Sequence, residues 1–121
     1  MKNSVQLKIT GLPKISLNQW YAGRHWSERK KIKDDYITIV NNQVKQRFSG
    51  KCYCDYKFYF WSQPLDASNC VAMVKMIEDI LMENDGYKNV KGISITSDKI
   101  KRSVKGEKIQ SDYVLINIME E

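Results

Sequence analysis

The chain has few of the residues that most often mark a metal centre or a disulfide-built scaffold. Its 121 residues include one histidine, three cysteines and two prolines. His25 with Cys52, Cys54 and Cys70 cannot furnish a zinc site without help from carboxylates. Cys52-x-Cys54 falls one residue short of a C-x-x-C, and Cys70 stands apart, so neither a redox motif nor a zinc ribbon is present. Met1 to Leu12 mixes charged and apolar residues without the apolar core of a leader. Together with an odd cysteine count, this predicts a reducing, cytoplasmic setting. No apolar run approaches the roughly 18 residues that cross a bilayer, so no membrane partner is expected. At 42% hydrophobic and 28% charged the chain is not a disordered one. A chain of this length buries about two-thirds of the surface its unfolded form exposes, enough for a single domain over residues 1–121.

What the sequence does have is positive charge, unevenly placed. The formal net charge is +6. Residues 1–61 carry 12 Lys+Arg against 4 Asp+Glu, and residues 62–121 carry 8 against 10, so +8 and −2 make up the total. Between positions 65 and 86, Asp66, Glu78, Asp79, Glu83 and Asp85 face only Lys75. A basic chain attracts polyanions, and a knot of carboxylates within it repels them unless cations occupy the knot. The same pattern also describes an acidic solvated helix in a mildly basic domain.

Hydrophobic periodicity predicts the elements. Val5, Leu7 and Ile9 alternate with polar residues as a first strand, ended by Gly11-Leu12-Pro13. Lys14 to Trp26 has no clear period and reads as an ordered loop. Ser27 looks like an N-cap for an amphipathic helix over about 27–47, with Ile32, Tyr36, either Ile39 or Val40, and Val44 on its apolar side. Tyr53 to Trp61 reads as a strand whose core face carries Cys52, Cys54, Tyr56, Phe58 and Phe60. A second helix is expected over about 69–83, with Cys70, Met73, Val74, Ile77, Ile80 and Leu81 inward. A third strand with Val90, Gly92, Ile93 and Ile95, a basic hairpin over 101–108 and a fourth strand over 113–119 follow. The order β-α-β-α-β-β is that of an α+β (mixed α/β) single compact domain.

Candidate chemistry lies in Leu65-Asp-Ala-Ser-Asn69, Met76-Ile-Glu-Asp79 and Asn84-Asp85. Asp66 falls where a strand gives way to a helix, and Asn69 is placed to cap that helix. Lys75 and Asp79, four apart, share a helix face, and with Glu78 they lie opposite the apolar stripe. Asp85 follows the helix end, about 20 Å from its start. Convergence of Asp66 and Asp85 therefore needs either a turn that folds back or a second subunit. Oxygen donors of this kind suit Mg2+ or Mn2+. A purely structural reading makes Asn69 a cap, Lys75 and Asp79 a surface pair and Asp85 a turn residue. Arg24, His25, Arg29, Lys30, Lys31 and Lys33 interleave with Trp20, Tyr21 and Trp26, as in surfaces that hold phosphates and stack on unpaired bases. The two tryptophans suit a core equally well. Lys99, Lys101, Arg102, Lys105 and Lys108 form a second basic patch.

Three blocks resemble the RusA-type Holliday junction resolvases, small endonucleases of phages and prophages. Leu12-Pro13, Ser16-Leu-Asn18 and Trp20-Tyr21-Ala-Gly-Arg-His-Trp26 are similar to that family's proline-then-asparagine loop with its Tyr-rich continuation. Leu65-Asp66-Ala-Ser-Asn69 resembles its D-x-D-N motif, and Glu83-Asn-Asp85 with Tyr87-Lys-Asn-Val90 its D-D ahead of a strand. The resemblance implies a RusA-like fold, a homodimer and Mg2+- (or Mn2+-) dependent cleavage of four-way junctions or related branched DNA in recombination and repair. It implies Asp66, Asp79 and Asp85 as metal ligands, with Asn69 and Lys75 completing the catalytic set. The expected nucleic-acid contacts are Asn18, Tyr21, Arg24, His25, Arg29 and Lys30, with Lys101 and Arg102 from the hairpin. Two positions depart from the pattern. Ser68 replaces the second aspartate of D-x-D-N, and Ala72 stands where short members carry the lysine, with Lys75 nearly one turn later. The alternative is accordingly a branched-DNA-binding protein of the same fold whose cleavage is weakened or lost.

Overall fold

A computed structural model describes residues 3–21, 26–83, 90–100 and 111–120. Four strands form one mixed sheet: β1 (Asn3–Thr10), β2 (Cys52–Phe60), β3 (Val90–Lys99) and β4 (Tyr113–Glu120), in the order β1-β4-β2-β3. β4 runs antiparallel to both β1 and β2, whereas β2 and β3 are parallel. Three helices join them: α1 (Leu17–Tyr21), α2 (Trp26–Gln43) and α3 (Val71–Leu81), the last preceded by a 3-10 turn over Ala67–Cys70. The architecture is a small mixed α+β domain. No helix among the described residues is long and apolar enough to cross a membrane.

β2 is the hub. Cys52, Cys54, Tyr56, Phe58 and Phe60 all point into the core, as the alternation predicts. The rings of Tyr56, Phe58 and Phe60 stack along that face with centroids 6.2 and 6.1 Å apart. Ile9 of β1 and Val114, Ile116 and Ile118 of β4 extend the same face. α3 lays Met73, Val74, Ile77 and Leu81 on it, and α2 adds Tyr36 and Val40. Tyr36 also donates its hydroxyl to the Pro13 carbonyl at 2.5 Å, tying α2 to the loop after β1. At the end of β1 a side chain pairs with the strand's outer edge: Gln43 accepts from Thr10 N at 2.8 Å and donates to Thr10 O at 2.7 Å. Its carboxamide thus stands in for the next strand's peptide group.

Three expectations change. The loop expected over 14–26 contains α1, which starts with a reciprocal cap: Ser16 Oγ accepts from Gln19 N at 3.0 Å, and Ser16 N donates to Gln19 Oε1 at 3.1 Å. Trp20 is half-buried against the core, while Trp26 is 70% exposed, so only one of the two tryptophans is a core residue. Glu78 does not share the solvent face with Lys75 and Asp79. It is buried, because α3 is covered by the sheet on one side and by α2 on the next. The expected basic hairpin over 101–108 lies outside the described residues.

Glu78 accepts from the Tyr56 hydroxyl at 3.5 Å, a long bond that compensates little of its desolvation. Burial, reinforced by the Asp79 charge, pushes its carboxyl above the usual carboxylate range, against the Tyr56 bond and Lys75. An acid whose pKa folding raises binds its proton more tightly in the fold. Stability therefore falls as pH climbs from the ordinary value through the folded one, and the loss persists above it. Glu78→Gln should raise the melting temperature at pH 7 by a few degrees, with the difference from wild type closing toward pH 4. Equal melting curves at both pH values would contradict this placement of Glu78.

Candidate active site

The chain leaves the carboxyl-terminal end of β2 at Phe60 and turns through Ser62, Gln63 and Pro64 before the 3-10 turn begins. Asp66 sits at this turn with extended backbone (φ −60°, ψ 150°). Its carbonyl accepts from Asn69 N at 2.9 Å and Cys70 N at 3.2 Å, which starts the helix by backbone alone. Its carboxylate does not fold back as a cap and is exposed at the sheet end. Asn69 lies within the 3-10 turn, half-buried, and Cys70 occupies the residue before α3 without a side-chain cap. Asn69 is therefore not the helix cap expected from its position. It follows Asp66 by three residues, within the same turn.

Two residues with no sequence signal hold this turn. Lys14, from the loop after β1, donates to the Gln63 carbonyl and to Ser62 Oγ at 3.3 Å, with its ammonium 5.4 Å from the Phe60 ring centroid. Ser97, near the end of β3, donates to the Leu65 carbonyl. Both also act on the buried Cys70 thiol. Burial pushes that thiol up and the Asp66 charge adds to it, while the Ser97 hydroxyl and the Lys14 charge oppose them. The Cys70 thiol thus lies within electrostatic reach of both Asp66 and Lys14 at the end of the parallel pair β2 and β3. In sheets with parallel strands, the carboxyl ends of the strands are where ligands bind.

The other predicted residues scatter. Lys75 is exposed one turn into α3. Asp79 lies two turns beyond the start of α3, about 20 Å along the chain axis from Asp66. It lines a groove of about 390 Å³ between α2 and α3 with Lys33, Ile37, Asn41, Arg47 and Met76. Within one chain the helical rise therefore separates Asp79 from Asp66. Asp85 lies outside the described residues. Its described flanks stand at the other end of β2: Glu83 N donates to the Phe48 carbonyl at 2.8 Å, and Val90 pairs with Cys52. Among the described residues no group of three or more His, Cys, Asp or Glu side chains gathers as a metal site.

A scan against models of known protein families finds no match to this chain, and a search of curated proteins finds none either. The residues themselves carry the functional argument.

On the expected DNA surface, Asn18 is exposed on α1. Arg29 rests its guanidinium 5.7 Å from the Trp20 ring centroid, and Lys33 places its ammonium 5.9 Å from the same ring. Lys30 pairs with Asp34 at 3.1 Å on an exposed face, where such a pair adds only a few tenths of a kcal/mol. Tyr21 closes α1. Arg24, His25, Lys101 and Arg102 lie outside the described residues. Lys14 and Ser97 are missed by sequence reasoning because their partners are 32 or more positions away.

A hydrogen bond from a charged donor contributes about 1.5–3 kcal/mol. Lys14→Met should therefore free the turn and speed hydrogen exchange at the Asn69 and Cys70 amides by about tenfold or more. Lys14→Arg should restore most of the protection, and amides of β4 should be unmoved in both. Unchanged exchange at Asn69 and Cys70 in Lys14→Met would remove Lys14 from this role.

Proposed function

We propose that this protein is a Mg2+- or Mn2+-dependent endonuclease of branched DNA, acting as a homodimer in the cytoplasm, with four-way junctions as the substrate class. The observation that carries the reading is Asp66: an exposed carboxylate at the carboxyl end of a parallel strand pair, in a turn whose preceding residues are held by Lys14 and Ser97. The D-x-S-N run containing it and the net charge of +6 support the same reading.

The donors at this end suit a hard cation. A carboxylate and a carboxamide three residues apart offer oxygen and no sulfur, since Cys70 is buried and held protonated. Mg2+ characteristically keeps several waters and needs one or two carboxylates. Asp66 would be the first, with Asn69 beside it and Asp85 the second. With Glu83 and Val90 both at the opposite end of β2, the reading has Asp85 of the partner subunit complete each site. A bound divalent cation supplies Lewis-acid stabilisation of charge on a phosphodiester. Lys14 and Lys75 add positive charge where the scissile phosphate would approach. Asn18, Tyr21, Arg24, His25, Arg29, Lys30, Lys101 and Arg102 would hold the flanking backbone, which positions the substrate without reading its sequence.

A second reading rests on Ser68, which is exposed in the same turn and offers a hydroxyl where the resembled motif has an aspartate. A neutral hydroxyl is a weaker metal ligand than a carboxylate, and a non-cleaving protein that binds branched DNA follows if the two carboxylates Asp66 and Asp85 are too few for each site.

Purified wild type should cut a synthetic four-way junction with Mg2+ or Mn2+, and Asp66→Asn and Asp85→Asn should each lose at least about 100-fold in rate. An equimolar mixture of the two variants should regain nicking, since a mixed dimer rebuilds one site. Intact junctions with folded wild type under both metals would defeat the nuclease reading. Salt-sensitive binding without cleavage would select the second.

A further inference from the structure

The end of β2 opposite Asp66 gathers sulfur. Cys52 and Cys54 stand two residues apart on a strand, so both side chains fall on the core face of the sheet. Their thiols are hydrogen-bonded to one another, and Cys52 also donates to Met82 Sδ at 3.9 Å. All three are buried, Cys52 at 0%, Cys54 at 3% and Met82 at 7% exposure. Cys70, the third cysteine, stands at the other end of β2. A count of His, Cys, Asp and Glu overlooks the cluster because its third donor is a methionine.

The backbone fixes these sulfurs in advance. β2 is paired on both sides, so that Cys54 lies between Ile118 of β4 and Ile93 of β3. Met82 directly follows α3, and its N–H donates to the Glu78 carbonyl at 2.9 Å. A parallel bridge to Phe48 holds it from the other side. There Phe48 N donates to the Leu81 carbonyl at 2.9 Å and Glu83 N to the Phe48 carbonyl at 2.8 Å. Phe48 and Leu81 are themselves buried, which keeps the surroundings dry.

The donor set narrows the ion. Two thiols and a thioether are soft ligands, which suit Cu(I) and offer nothing to Mg2+ or Mn2+. Structural zinc sites take four ligands, whereas this cluster supplies three. Geometry agrees with the chemistry. Metal–sulfur bonds of about 2.3 Å, directed to the corners of a triangle, set the sulfurs about 4 Å apart. The separation of Cys52 and Met82 already meets that requirement. Burial pushes both thiols up, so their protons yield only to an ion that binds thiolate strongly.

We propose that Cys52, Cys54 and Met82 form a three-coordinate Cu(I) site, with one ion per chain. Binding replaces two sulfur–hydrogen bonds with two copper–sulfur bonds and releases both protons to solvent. Met82 adds a sulfur lone pair. Copper stays Cu(I) throughout, so no oxidant or reductant is consumed. The site is independent of DNA cleavage, since its soft donors and the oxygen donors around Asp66 occupy opposite ends of β2.

Titration of the reduced protein against the coloured Cu(I)–bicinchoninate complex tests it. Wild type should withdraw one Cu(I) per chain, and X-ray absorption of the loaded protein should show three sulfurs at about 2.3 Å. Cys52→Ser and Cys54→Ser should each weaken binding by about 100-fold or more, and the volume-conserving Met82→Leu by about tenfold. Cys70→Ala should bind as wild type does. Failure of folded wild type to withdraw copper would overturn the site, as would binding unmoved by both serine substitutions. Two sulfurs instead of three in the wild-type absorption spectrum would also overturn it, whether or not the serine variants fold. Copper bound as expected by a protein that leaves junctions uncut would remove the nuclease reading and keep this one.

Discussion

The parallel pairing of β2 with β3 is the constraint from which the rest follows. Parallel neighbours cannot be joined by a hairpin, so the chain must travel back along the sheet between them. α3 is that return. Its buried side must be wide, because it lies on the aromatic ladder of β2 and against α2 at once, and Ala72, Met73, Val74, Met76, Ile77, Glu78 and Leu81 are all buried. The same return path sets the chemistry. Asp66 is left at the carboxyl end of the pair, and every residue of α3 after it is carried away at 1.5 Å per position.

This geometry explains which parts of the candidate site hold together. Asp66, Asn69, Cys70, Lys14 and Ser97 belong to one end because β2, β3 and the loop after β1 all finish there. Asp79 belongs to the groove between α2 and α3 because two further helical turns separate it from Asp66. Proximity in the sequence, within a carboxylate-rich stretch, is thus a poor guide to proximity at the site. The burial of Glu78 shows the same thing from the opposite side. It is adjacent to Asp79 in the chain and yet reaches a different environment, where desolvation rather than solvent sets its proton affinity.

Much of the fold is legible in the residues. Cys52 to Phe60 alternates without exception, Val114, Ile116 and Ile118 do the same, and the apolar positions of α2 and α3 recur at helical spacing. Asp66 at a strand-to-helix junction is legible for the same reason. Local pattern fails where a contact is long-range or a single side chain decides. α1 rests on the Ser16–Gln19 cap, an S-x-x-Q signal that can be read in the sequence but is outweighed by the lack of apolar period around it. Lys14 has no local signature at all, since its partners Ser62 and Gln63 lie 48 and 49 positions on. Glu78 sits at the border of the apolar arc of α3, where a helical projection cannot tell one covering layer from two.

The central claim is that Asp66 is the carboxylate that holds a divalent cation. Titration of 15N-labelled protein with Mn2+ tests it directly, because bound Mn2+ broadens only signals near it. The account predicts that amides from Leu65 to Cys70 broaden first, that those around Asp79 do not, and that Asp66→Asn abolishes the effect. Broadening centred on Asp79 and the groove between α2 and α3, or none at any site, would contradict it.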